Sequence, residues 1–467
     1  MLGLLIERTS LRPSSVIALD VITEEGVHAR DEWYGIYQQG RKIGYANTRI
    51  VPETEAYHLY EESQLDILVL GSVQRVKTVI NSYTTKNYLL KYFDFSMQSG
   101  SSSMTIKGAV IGKKLVLDIE TAGQTRKEHM LLREPPYLSL NIKPALILLG
   151  LEPGKKYRFP LFSPATMNTE DAFITVVSSE HIKVGDKEQT IYKLNESFQG
   201  METTSWITQD GETIKEESPL GYVLLQESPL EAKKLDKNGP VVDIIALTRI
   251  PSDAISESVR VKYLKARLNG VSLTGFQLDG DRQVIKGNII EVTMQDSLSA
   301  YTLPYGGKDQ DEYLKPNALI QSDDKRIIDQ SAKILSGERN VREAAKKLND
   351  WVYTALAKKP VVSIPSALEV LSQREGDCNE HTALYTALAR AAGIPTRMIA
   401  GIVYMEDGFY YHAWPEVWTG HWLAVDPTFG QFPADATHIR FVSGNIDRQS
   451  DILKLVGKLK VDVLEYK

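Results

Sequence analysis

The sequence predicts a multidomain protein, with a large, mostly antiparallel β domain on the amino-terminal side and an α+β domain on the carboxy-terminal side. Three observations carry this prediction. The chain has 467 residues, roughly three times the length of a typical domain. From Trp33 to about Leu225, short runs rich in Val, Ile, Thr, Tyr and Phe alternate with Gly, Asn, Asp and Ser, at the spacing of about 8 to 12 residues that all-β domains show. From Ser322 onward the apolar period becomes that of a helix.

Composition narrows the function. With 54 Lys+Arg against 60 Asp+Glu and a net charge of −6, the chain has no basic stripe to neutralise phosphates, which excludes nucleic acid as a partner. A single cysteine cannot form an internal disulfide, so stability rests on packed cores. No run approaches the roughly 18 apolar residues that span a bilayer; the longest is Ala145 to Leu151. The opening MLGLLIERTSLRP has an apolar pentad but no basic n-region and no small-residue cleavage site. Residues 1–32 therefore fit either an ordinary amino terminus or the end of a longer membrane anchor, and an envelope or periplasmic location is a leaning.

Along the chain, WYGIYQQGRKIGYANTRIV reads as two strands about a turn at Gln39 and Gly40, and MTIKGAVIGKKLVLDIE as two strands about Ile111 to Lys114. A long curved sheet or open barrel packs such strands. Glu134 to Pro153, with Pro135, Pro136, Pro144 and the apolar ALILLGL, is expected to lay a short helix across one sheet face. EAKKLDKNGP, Glu231 to Pro240, has linker composition. Val241 to Thr302 holds DIIALTRI, SVRVKYLKARL and GNIIEVTM, enough for a small sheet that must lean on a neighbour. The expected units are thus 33–235 (large β domain), 241–315 (small β domain) and 316–467 (carboxy-terminal α+β domain).

In the last unit, Ser322 is the N-cap expected for a helix with Ile328, Ala332 and Leu335 on one face before Gly337. Asn340 and Glu343 form a capping pair, after which Val341, Ala344, Ala345, Leu348, Trp351, Val352, Ala355 and Leu356 keep a helical period up to Pro360. Trp351 accordingly reads as core. A short helix around Ala367 to Leu371 leads to the loop Arg374 to Gly376.

The chemistry sits in REGDCNEHTALYTALARAAGIP. Asp377 as N-cap with Glu380 three residues on is a capping arrangement that sets Cys378 at the first helical position. There the helix dipole lowers a thiol pKa from its ordinary value of about 8.5, while Asp377 and Glu375 oppose it. A nearby imidazolium is needed to hold a thiolate. TRMIAGIVY, FYYHAWPEVW and WLAVD read as three successive strands. With a three-residue second turn, Trp414 faces Asp426, and His412 is its diagonal neighbour on the same face. An imidazole is then oriented by a carboxylate. Pro415 places its strand at an edge or marks a bulge.

GDCNEHTALYTALARAAGIPTRMIAG, HAWPEVW and WLAVDPT, in that order, resemble the transglutaminase-like superfamily over about Ser322 to Gln431. The resemblance implies a papain-like core with Cys378 as nucleophile, His412 as general base and acid, and Asp426 as its orienter. The amino-terminal strands are similar to large extracytoplasmic sheet domains attached to bacterial members, which favours the envelope by analogy. One departure stands out. Where animal transglutaminases carry a tryptophan that helps form the oxyanion hole, VVSIPSALEVL has Ser363. This disfavours cross-linking and favours hydrolysis or transfer to a small amine through a thioester.

The remaining candidates read as structural. His381 packs or caps, His421 and His438 have no partner pattern, and one cysteine excludes the usual zinc sets. Asp309 to Glu312 lack calcium-ligand spacing; neither metal nor cofactor is expected. Trp414, Trp418 and Trp422 are core or walls of an acyl site, and Glu416 braces its strand. The expected function is cysteine-dependent acyl transfer or amide hydrolysis on a protein or peptide, with peripheral envelope association. A non-enzymatic envelope protein, whose curved sheet binds lipid, glycan or a partner, is the second reading.

Overall fold

The computed structural model describes residues 29–184, 187–236, 242–256, 261–295, 300–444 and 450–467. Of the segment 1–32 only residues 29–32 fall in this range, and the linker expected at 231–240 is described as far as 236. Two meanders build one fourteen-stranded antiparallel sheet. The first comprises β1 (Arg30–Gln38), β2 (Arg41–Pro52), β3 (Tyr57–Val69), β4 (Ser72–Thr84), β5 (Leu90–Ser99), β6 (Ser102–Ile111), β7 (Lys114–Thr121) and β8 (Gln124–Leu131). After helix α1 (Ser139–Leu149) come β9 (Lys156–Ser163), β10 (Asn168–Val184), β11 (Lys187–Phe198), β12 (Met201–Thr208), β13 (Thr213–Glu217) and β14 (Tyr222–Glu227). Gln39 and Gly40 carry the β1–β2 turn with φ of 48° and 78°, the paired left-handed residues of a tight hairpin. β1 pairs with β14, so the sheet's edges are β8 and β9.

One apolar core joins Leu59, Phe93, Ile106 and Leu117 of the first meander, Phe159, Ile174, Leu194 and Ile207 of the second, and Leu140, Ala145 and Leu146 of α1. Both halves of the sheet therefore close on the helix, which is apolar nearly all round, as a buried helix must be. Its Lys143 reaches Glu216 at 2.7 Å and Glu196 at 3.6 Å on the facing strands.

Two short helices, α2 (Pro229–Ala232) and α3 (Ile244–Thr248), lead out of the sheet. Next come β15 (Ile250–Pro251), β16 (Tyr263–Asn269), β17 (Gln283–Lys286) and β18 (Ile289–Thr293). The span 241–315 does not close as a sheet of its own. β15 pairs with a strand of the carboxy-terminal sheet, and β16 takes the chain's last strand, β25 (Lys460–Tyr466), as its neighbour. The expected boundary at 315/316 thus cuts a shared core, since Leu264, Ile290 and Val292 pack with Ile402, Phe441 and Val461.

The carboxy-terminal helices are α4 (Lys325–Leu335), α5 (Val341–Ala355), α6 (Ala367–Gln373) and α7 (Cys378–Ala391). β19 (Ala357–Lys358) pairs with β20 (Glu375–Gly376) beside them, and β21 (Thr396–Met405), β22 (Gly408–Trp418), β23 (Trp422–Ala424) and β24 (Ile439–Gly444) form a sheet with β15. α4 corrects two expectations. Its N-cap is Asp324, whose carboxylate accepts the Arg326 N–H, and its buried face is Ile327, Ser331 and Leu335. Ile328 faces solvent, because the helix packs through the stripe one residue earlier. α5 begins as expected, with Asn340 accepting from Arg342 and Glu343.

The sheet domain docks edge-on against this unit. Arg126 on β8 pairs with Asp323 at 2.6 Å, and Glu128 accepts the Ala318 N–H at 3.1 Å. Thr121 and Ser366 hydroxyls bond at 3.1 Å, and the Ser103 N–H of the β5–β6 hairpin reaches Glu369 of α6 at 3.2 Å. Leu319, 3% exposed, completes the core of the sheet domain from the carboxy-terminal side. Leu319→Ala is therefore expected to destabilise the chain by about 2–5 kcal/mol, the usual result for a buried leucine, in equilibrium urea unfolding. A change below about 0.5 kcal/mol, the size of a neutral surface substitution, would show that the two units do not share a core.

Candidate active site

The nucleophile's position is dictated locally. Asp377 accepts the Asn379 N–H at 2.9 Å, and its carboxylate also caps the Glu380 N–H, while Glu380 reaches back to the Asp377 N–H at 2.9 Å. The His381 N–H goes to the Asp377 carbonyl. Of the first-turn donors of α7, the Cys378 N–H alone is left uncapped among these contacts. Gly376 sits at φ 155°, and a Cβ there would lie 2.3 Å from Cβ of Glu380. Only glycine lets the chain pass this close to the helix it is about to enter.

β22 brings the partners. His412 Nε2 and Asp426 Oδ2 are 2.8 Å apart, and Asp426 Oδ1 accepts the Thr428 and Phe429 N–H groups at 2.7 and 3.0 Å. The register read from the sequence holds. Trp418 faces Trp422, Val417 faces Leu423 and Glu416 faces Ala424, and the Val425 N–H to Pro415 carbonyl bond extends this pairing toward Asp426. Pro415 falls where the β22–β23 ladder ends, at an edge as one of the two expectations had it, and its pairing with Met398 of β21 has no bulge. A residue's N–H and C=O in an antiparallel strand point to the same side, so the donor that proline lacks falls toward β23. That is where the β23 ladder ends and the chain turns into Asp426.

The backbone N–H of Ala413, next to His412, lies close enough to Cys378 to favour its thiolate. With Nε2 engaged by Asp426, His412 Nδ1 is the ring nitrogen with no bonded partner among the described residues. The Phe429 ring lies parallel to the imidazole at 4.7 Å between centroids, and Trp414 backs it at 6.2 Å. Both fix its plane.

The electrostatics differ from the sequence expectation. Burial pushes the Cys378 thiol well above its ordinary value, the Asp377 carboxylate adds to this, and the Ala413 N–H opposes it only in part. The dipole of α7 is outweighed, and the sulfur rests as a thiol. Glu375 is not the opposing charge, since it pairs with Lys359 at 2.5 Å. Glu380 is raised by burial and by Asp377 beside it. Burial alone would also raise Asp426, yet the charges and hydrogen bonds of His412 and His438 hold it well below the usual carboxylate range.

His438 is the residue the sequence reading missed. Fully buried, it bonds Asp426 Oδ2 through Nε2 at 3.0 Å and Asp435 Oδ1 through Nδ1 at 3.1 Å. His412, Asp426 and His438 converge with one polar atom each inside 4.8 Å, and those atoms are already joined by hydrogen bonds. No spacing rule signals this, because the chain returns to the site only by way of β24. The other candidates are structural. His381 is fully buried and its Nδ1 bonds the Asp377 carbonyl at 2.7 Å. Glu416 is locked by Arg397 at 2.5 Å and Arg440 at 3.3 Å. Ser363 gives its hydroxyl to Glu380 Oε1 at 2.6 Å.

Cys378 opens α7 and the His412–Asp426 pair lies on β22 and the turn after β23, and residues 328–427, which include all three, match the model of the transglutaminase-like superfamily. Over these residues the chain is similar to that superfamily. The match opens inside α4 and closes one residue past Asp426, leaving the fourteen-stranded sheet and His438 outside it. Among solved structures, a candidate cysteine protease from Cytophaga hutchinsonii is 15% identical, covering 45% of this chain and 90% of its own, with a TM-score of 0.30. A β-barrel-like protein of the DUF1849 family from Brucella abortus is 9% identical, covering 44% and 97%, at 0.36. A candidate protease from Parabacteroides distasonis is 10% identical, covering 68% and 62%, at 0.18. No curated protein matches the chain. Among the described residues no helix is long and apolar enough to cross a membrane.

Proposed function

We propose that the transglutaminase-like unit cleaves or transfers amides of a peptide or protein through a thioester on Cys378. The supporting observation is the His412–Asp426 pair, with Nε2 held by Asp426 at 2.8 Å and Nδ1 without a bonded partner among the described residues. Because Cys378 is a thiol at rest, His412 acts first as a base. As Sγ attacks the amide carbonyl, its proton passes to Nδ1, and the developing oxyanion takes the uncapped Cys378 N–H. Collapse of the tetrahedral species returns that proton to the departing amine and leaves the thioester. Water, deprotonated by the same Nδ1, then releases the acid and restores the thiol.

The acceptor preference follows from Ser363. Its hydroxyl is spent on Glu380, so it does not stand in for a tryptophan donor, whose loss typically costs about 2.7–4 kcal/mol of transition-state stabilisation. Water and small amines are the acceptors least hindered by an open site. The rival reading, a sheet that binds lipid or glycan in its curvature, is confined by α1, which packs into the sheet's core, to the cavity lined by Leu117, Ile119, Met130, Met167, Leu319 and Met398 beside the carboxy-terminal unit.

The test mixes the protein with a glutamine peptide, with and without methylamine, and follows protein and products by mass spectrometry. An acyl adduct on Cys378, with free acid and methylamide as products, is expected, and Cys378→Ala should give none of these. In a parallel mixture with a lysine peptide in place of methylamine, isopeptide as the dominant product would sink the hydrolase preference. Absence of any adduct, together with a Cys378 alkylation rate unchanged in His412→Gln, would sink the enzyme reading.

A further inference from the structure

We infer that His438, backed by Asp435, is a positioning residue of this site: it fixes the Asp426 oxygen that faces His412 and places a positive charge behind it. The inference rests on the acyl-transfer reading above. Both residues lie past 427, the last position matched to the family model. Asp426 Oδ2 receives His412 at 2.8 Å and His438 at 3.0 Å, so one carboxylate oxygen is shared by two imidazoles whose ring centroids are 5.8 Å apart. Asp435 is itself anchored, its Oδ1 by the Thr437 N–H and hydroxyl at 2.9 and 2.6 Å and its Oδ2 by Gln431 at 2.8 Å. Every polar atom of the His438 ring therefore has a carboxylate partner in a fully buried position.

Burial by itself would favour a neutral ring, but the two carboxylates raise His438 to about 9, which keeps it an imidazolium at neutral pH. The groups facing this pair are few. Arg282 donates to the Ala434 and Asp435 carbonyls, His381 and the Cys378 thiol approach Asp426 from α7, and Trp414 and Phe429 contribute only ring edges to His438. The imidazolium on the far side of Asp426 is bonded to the same oxygen that orients His412, so its charge bears on the His412–Asp426 pair directly.

The test is a histidine ¹⁵N NMR titration of the full chain carrying Cys378→Ala, which removes the thiol from the proton balance. His438 is expected to keep both nitrogens protonated up to about pH 9, the value burial and its two carboxylates set. The His412 midpoint should rise by about one pH unit in His438→Gln, as a unit charge removed at this separation predicts for a partly screened interior, and should rise to a smaller extent in Asp435→Asn, which retains a hydrogen-bond partner for the ring. With Cys378 restored, the acid limb of amide turnover should move up by the same amounts. A neutral His438 at pH 7 without substitution at 435 or 438 overturns the inference, and so does a His412 midpoint that stays put in both variants. Failure of the acyl-transfer reading has a separate signature, in which His412→Gln leaves Cys378 alkylation and turnover unchanged whatever the titration gives.

Discussion

Asp426→Asn is expected to lower turnover of the amide probes by about four orders of magnitude, the loss seen when a triad carboxylate is replaced by its amide, while the chain stays folded. The carboxylate accepts four hydrogen bonds: two imidazole N–H groups on Oδ2 and two backbone N–H groups on Oδ1. Asparagine has only one oxygen to offer. If that oxygen keeps Thr428 and Phe429, the amide NH₂ faces His412 Nε2, and the ring answers by moving its proton to Nδ1. Nδ1 then cannot take the thiol proton, and the base is lost though every atom is in place. Circular dichroism and the unfolding midpoint should change little beside the kinetic effect. Retention of more than about a tenth of native turnover, a loss worth under 1.4 kcal/mol of barrier, would show that Asp426 does not set the His412 tautomer.

Gly401→Ala is expected to cost at least about 3 kcal/mol, the upper end for overpacking, and to abolish activity along with stability. Gly401 lies in β21 opposite His412 on β22 and Arg440 on β24. A methyl group there would stand 2.2 Å from the Ile439 carbonyl oxygen and 2.5 Å from the Trp414 ring. The backbone cannot yield without parting β21 from β24, and Trp414 cannot yield without moving off the rings of His412 and His438 that it contacts. Urea unfolding measures the first effect, and turnover under native conditions the second. A stable, active alanine variant would mean that the strands adjust by more than the packed interior is expected to allow.

Much of this site was legible because its parts follow short-range rules. A capping box needs only residues three apart, so Asp377 and Glu380 announce the start of α7 and place Cys378 on it. Strand register across a three-residue turn is equally local, and it brings His412 to Asp426. The same rules located α1 from its prolines and apolar run, and the β1–β2 turn at Gln39 and Gly40. Ser322 failed as a cap because Asp324, two residues on, competes for the same role, and the buried face of α4 differs from the expected one because tertiary packing, not the cap, sets which stripe is covered.

The sequence alone determined the fold class, the place of Cys378 at the start of a helix and the pairing of His412 with Asp426, since each depends on spacing within a helix turn or across a hairpin. Tertiary structure decided the rest. The thiol state of Cys378 depends on burial summed over elements distant in sequence and overrides the local helix dipole. β25 crosses the boundary expected at 315/316 because the small sheet lacks apolar surface of its own. His438 joins Asp426 only because β24 returns beside β21, a pairing between strands more than thirty residues apart that follows from packing the whole sheet and leaves no periodic trace in the chain.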